Sequence, residues 1–83
     1  MVTLFSFEFT ADKQEEFLKE AILINPNNDT AHNNLGVLYY DQNRYDEAEK
    51  EYDIAIRLNP NNRSTIKNLR TLKENMKPKK WFS

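Results

Sequence analysis

The sequence predicts an all-α protein: a short superhelical stack of about four helices joined in antiparallel pairs. Three observations carry that expectation. An eight-residue segment occurs twice, AILINPNN at residues 21–28 and AIRLNPNN at residues 55–62, which sets Pro26 and Pro60 34 residues apart. A fixed period of that length means one supersecondary unit stacked on its neighbour. Between the two prolines the apolar residues recur at three- and four-residue spacing, the period of a helix. The chain has 83 residues, 39 % of them apolar and 30 % charged, enough for one small domain. A single core of that size is marginal, so an elongated stack or a partner is expected to support it.

Taken in order, residues 1–11 form an apolar segment. Phe5, Phe7 and Phe9 alternate with Ser6 and Glu8, and a period of two favours a short strand or irregular segment. The alternative is a helix carrying Phe5 and Phe9, four apart. Either way Leu4 and the three phenylalanines are expected to cover the open end of the stack or to dock on a second chain. A helix follows over residues 12–24, with Asp12 and Glu15 at capping-box spacing. Asp29 is the expected N-cap of a second helix over 29–42, along which Ala31, Leu35, Leu38 and Tyr39 recur. Asn43 suits the left-handed conformation that ends a helix. Tyr45, Ala48, Tyr52, Ala55 and Ile56 mark a third helix over 45–58, stopped at Asn59 because a residue before proline disfavours helix. Ile66, Leu69 and Leu72 mark a fourth over 62–76, ended by Pro78. The chain therefore divides into a half repeat (12–28), a full repeat (29–62), a capping helix (63–77) and a basic, aromatic tail (78–83).

Gly36 is the only glycine, and it falls inside a helix, where glycine costs about 1 kcal/mol relative to alanine. Close packing is the expected compensation. Gly36 and Ala48 lie on the inward sides of consecutive antiparallel helices, and two small residues face to face let the backbones approach while tyrosines fill the space above and below.

At His32, Leu35, Gly36, Tyr39, Ala48, Tyr52, Ala55 and Pro60 the sequence resembles the tetratricopeptide repeat family. Residues 12–28 resemble the second helix of a preceding repeat, and residues 63–77 a first helix whose glycine has become Arg70, as in a solvating cap. The resemblance implies a non-catalytic scaffold or adaptor that binds another protein or peptide in a concave groove. It places that groove at Asn33, Asn34, Val37, Tyr40 and Asp41, with Ser64, Lys67, Asn68 and Thr71 from the cap helix. Family members that clamp a terminal carboxylate use Lys, Arg and Asn across three repeats. Only Asn34 and Lys67 suit that role here, so no such clamp is expected.

Composition bears on the other function classes. With no cysteine, disulfides and thiolate metal sites are excluded. No apolar run approaches the roughly 20 residues of a membrane span. The first residues, MVTLFSFEFTADK, have no basic leader, so a cytoplasmic location is expected. His32 is the only histidine, and it is expected to pack at the repeat junction. There is no phosphate-binding glycine loop or nucleophile motif, and Asp46, Glu47, Glu49, Glu51 and Asp53 read as a solvated helix face. Neither an enzyme nor a cofactor or metal is expected.

Charge is unevenly placed. Residues 1–62 carry twelve acids and five bases, while residues 63–83 carry seven bases and one acid. Two alternatives to peptide binding follow. One is self-association as a homodimer through Phe5, Phe7, Phe9, Trp81 and Phe82 or the terminal helices. The other is docking of an acidic partner on the basic C-terminal helix and tail. Nucleic-acid binding is not expected, because no known nucleic-acid-binding fold is present.

Overall fold

The two asparagine-proline loops punctuate the chain as the repeat requires. A computed structural model describes residues 11–76. It contains α1 (Ala11–Ile24), α2 (Asp29–Asp41), α3 (Tyr45–Leu58) and α4 (Arg63–Met76). Each helix packs on the next, and no strand is present among the described residues. The expected strand or irregular segment over 1–11 lies outside the described residues, except that Ala11 already opens α1. Phe5, Phe7 and Phe9, and the tail with Trp81 and Phe82, also lie outside them.

The repeat holds down to individual hydrogen bonds. Asn25 N–H donates to Ala21 O at 2.9 Å, and Asn59 N–H donates to Ala55 O at 2.9 Å. Asn28 N–H donates to Asn25 O at 3.1 Å, matched by Asn62 N–H to Asn59 O at 3.1 Å. The Asn25 side chain accepts from Asn27 N–H at 3.3 Å, and that of Asn59 from Asn61 N–H at 3.2 Å. The fourth asparagine then caps the next helix. Asn28 Oδ1 accepts from Ala31 N–H at 3.1 Å, and Asn62 Oδ1 from Ser64 and Thr65 N–H at 3.1 and 3.3 Å. Each cap satisfies amides that the first helical turn leaves without partners.

Asp29 is therefore not the N-cap of α2. That place belongs to Asn28, and Asp29, one residue into the helix, is free to reach across. Its carboxylate accepts from Asn59 Nδ2 at 3.2 Å and Asn62 Nδ2 at 2.9 Å, tying one loop to its copy. Those two amides, Asn62 first, hold the Asp29 carboxyl below the usual carboxylate range. Asn43 does take the left-handed conformation, with φ 63°. The bonds Arg44 N–H to Tyr39 O (2.9 Å) and Asn43 N–H to Tyr40 O (3.0 Å) complete a Schellman turn between α2 and α3.

The core is shared by three helices: Leu35, Leu38 and Tyr39 of α2, Ala48 and Tyr52 of α3, and Leu72 of α4. Leu18 and Ile22 of α1 pack against it from one side, and Leu69 and Met76 from the other. Burying each large side chain contributes about 1.5–3 kcal/mol. The role of Gly36 differs from the expectation. A Cβ there would stand 2.5 and 2.6 Å from the Tyr52 ring carbons Cε1 and Cδ1. The glycine makes room for an aromatic ring, and Tyr52, not Ala48, supplies the atoms nearest it. Absence of a side chain on α2 is what admits a large one from α3.

Candidate functional site

A groove runs between α1 and α2. Gln14, Phe17 and Leu18 form one wall, spaced to share a face of α1. Asn34, Val37, Leu38 and Asp41 form the other, spaced likewise on α2. Together they enclose about 310 Å³. Phe17, Leu18, Val37 and Leu38 make the lining mainly apolar, and Gln14, Asn34 and Asp41 add polar groups to it. Asn34 and Asp41 are exposed, so their amide and carboxylate are available to an incoming chain.

Glu15 fixes the position of α1. Its carboxylate accepts from Lys19 Nζ at 3.0 Å, Tyr39 Oη at 3.1 Å and an Arg44 guanidinium nitrogen at 3.1 Å. These donors, Lys19 first, hold the Glu15 carboxyl below its ordinary value. Glu15 does not turn back to cap its own helix, as its spacing from Asp12 suggested; it bridges to α2 and the turn after it. Arg44 is itself held on three sides. It forms a two-pronged contact with Glu47 at 2.8 Å per prong, donates to Gln42 at 2.9 Å, and lies 4.3 Å from the centroid of the Tyr39 ring.

The other residues expected on the concave face are placed differently. Asn33 is buried, and its side-chain oxygen accepts from Asn68 Nδ2 at 3.1 Å, so these two amides join α2 to α4. Tyr40 stacks on Tyr45 with ring centroids 5.4 Å apart, and its hydroxyl accepts from Asn75 Nδ2. Ser64 and Thr71 are exposed on α4. Lys67 lines a separate hollow of about 350 Å³ along α4 with Arg63, Ile66 and Arg70. Of the expected set, Asn34, Val37 and Asp41 share the groove. Its other residues, Gln14, Phe17, Leu18 and Leu38, are not among those expected on the concave face. The signal was there: subtracting 34 aligns α1 with α3 and predicts which side of α1 faces α2.

His32 lies at the junction, 6 % exposed. Its Nδ1 is 2.8 Å from Glu51 Oε1 and its Nε2 is 3.1 Å from Pro26 O. Glu51 is thus a structural partner rather than part of a solvated face, whereas Glu47, although paired with Arg44, stays exposed. Tyr52, buried under Gly36, has its hydroxyl pushed up to about 12, by burial first and then by the charge of Asp41. Among the described residues no three His, Asp or Glu side chains gather as a metal site, and no helix is long and apolar enough to cross a membrane.

Comparison with known proteins adds one finding. The family model for the tetratricopeptide repeat matches residues 30–62, the segment from the first turn of α2 through the second asparagine-proline loop. No curated protein matches the chain significantly.

Proposed function

Since residues 30–62 form a tetratricopeptide repeat, and such repeats serve as protein–protein interaction modules, we propose that the α1–α2 groove grips a partner polypeptide. One apolar side chain of the partner enters between Phe17, Leu18, Val37 and Leu38. Asn34 pairs with the partner backbone, since an amide side chain both donates and accepts. Asp41, which is exposed, selects a basic side chain beside the apolar anchor. The observation that carries this reading is the open hollow of about 310 Å³ lined by four apolar residues and three polar ones, the usual make-up of a recognition pocket.

Panning a displayed peptide library on the full chain tests it. Enriched peptides should pair an apolar anchor with a Lys or Arg nearby. The best of them, added to labelled protein, should shift the amide resonances of Asn34, Val37, Leu38 and Asp41. Val37→Glu should abolish binding, and Asp41→Lys should weaken it roughly tenfold, equivalent to about 1.4 kcal/mol. Peptides that bind Val37→Glu as tightly as the parent chain, or that shift only α4 resonances, refute the groove.

A further inference from the structure

The two end helices leave complementary halves of a repeat without partners among the described residues. In the intact unit α2 pairs with α3, and His32 of α2 meets Glu51 of α3 at 2.8 Å. The 34-residue period carries α2 onto α4 and α3 back onto α1. It carries His32 onto Ile66 and Glu51 onto Phe17. The polar pair that closes the intact unit is thus replaced at both ends by apolar residues. Phe17 is 66 % exposed and Ile66 is 37 % exposed. Leu23 and Ile24 add to the apolar surface of α1, at 80 % and 77 % exposed.

The charges around the two residues are opposite. Phe17 and Leu23 share a hollow with Glu16 and Glu20, where Lys13 is the one base. Ile66 shares its hollow with Arg63, Lys67 and Arg70. Arg70 stands where the intact unit has Gly36, a place that admits no Cβ because Tyr52 fills it. On α1 the residue corresponding to Tyr52 is Leu18, which has no ring, so the obstacle to a side chain at position 70 is absent.

We propose that α4 of one copy pairs with α1 of a second copy, Ile66 on Phe17, to complete a repeat in trans. The contact is head-to-tail, so it uses two different surfaces and leaves one of each free at the ends of the assembly. Such a contact propagates into an open array unless it is capped. Phe17 also lines the groove, but Ile66 does not, so two variants separate the proposals: Val37→Glu should spare this association and Ile66→Glu should spare peptide binding.

The experiment is sedimentation equilibrium on the full chain at rising concentration, with Phe17→Glu and Ile66→Glu as single-face variants. Both positions are exposed, and circular dichroism checks that each variant keeps its helical content. The parent chain should gain mass steadily with concentration. Each variant alone should stay at the mass of one chain, and an equimolar mixture should form a species of twice that mass, because each supplies the face the other has lost. High salt should weaken the association, since opposite charges flank the contact. A parent chain that keeps the mass of one chain up to millimolar concentration overturns the proposal, whether another segment of the same chain or solvent covers the two faces. A variant that still pairs with itself overturns it in favour of a two-fold contact, and a mixture that stays unpaired overturns it as well.

Discussion

Replacing Gly36 by alanine sets two known effects against each other. Alanine in a helix interior is favoured over glycine by about 1 kcal/mol, and on propensity alone the variant would be more stable. The structure predicts the reverse. The added Cβ would stand 2.5 Å from Tyr52 Cε1 and 2.6 Å from Cδ1, whereas carbon atoms pack at about 3.5–4.0 Å. The ring must move by about 1 Å, yet Tyr52 is 2 % exposed and has no open side to move into. Overpacking of a filled core costs about 1–3 kcal/mol. Taking the upper end, because a whole ring is displaced, the net loss is about 2 kcal/mol, which lowers the melting temperature of a domain this size by roughly 8–16 °C. Urea unfolding followed by circular dichroism measures it. The mechanism is separated from a general intolerance of Gly36 by repeating the change in a Tyr52→Leu background, the residue α1 carries at the corresponding place. There the obstacle is gone and alanine should raise stability by up to about 1 kcal/mol, a coupling of about 3 kcal/mol between the two sites. A Gly36→Ala chain as stable as the parent, or additive changes, would refute the packing argument.

Two further changes test the joints of the repeat. Asp29→Ala removes the acceptor of Asn59 and Asn62 and a negative charge from the first turn of α2, and should cost about 1–2 kcal/mol in urea unfolding. Because the folded carboxyl is held below its ordinary value, the advantage of the parent over Asp29→Asn should be complete above about pH 4, and should disappear as pH falls through the lowered value. Thr65→Ala should instead stabilise the chain by about 1 kcal/mol: the Thr65 hydroxyl is fully buried without a hydrogen-bond partner, a burial that costs about 1–3 kcal/mol, and alanine already serves at the equivalent Ala31. A lower melting temperature for Thr65→Ala would show that its methyl group matters more than its orphaned hydroxyl.

The helices were legible because their signals are local. Helical spacing located each one, Asn43 marked the turn, and the doubled asparagine-proline segment gave the register of the stack. What the sequence concealed depends on which residues meet across helices. Asp29 is a good N-cap by type, but Asn28 precedes it and takes the role, leaving Asp29 to bind the second loop. Glu15 has capping-box spacing, yet its carboxylate finds Lys19, Tyr39 and Arg44. Gly36 and Ala48 are both small and both inward, but facing elements offset along their axes bring Tyr52 to the glycine instead. The groove was half legible for the same reason. Asn34, Val37 and Asp41 came from the family resemblance, which assigns a face of α2 to the groove, whereas Gln14, Phe17 and Leu18 require knowing how α1 lies against it.

Stability is unevenly spread in a way that bears on binding. α2 carries seven buried residues and α1 carries none. α1 is retained by the partly buried Leu18 and Ile22 and by the three donors gathered on Glu15. One wall of the groove is therefore the best-anchored of the four described helices and the other the least. Segments with few buried apolar contacts open at lower free energy than the core, so the α1 wall can adjust to an incoming side chain while the α2 wall holds its register. Whatever binds there adds contacts to the helix that has fewest. Phe17 ties this to the head-to-tail contact. It lines the groove and also the exposed side of α1, so a peptide anchored in the groove and a second chain stacked on α1 both act on one ring. Were both proposed associations to form, binding of one would be felt by the other at Phe17.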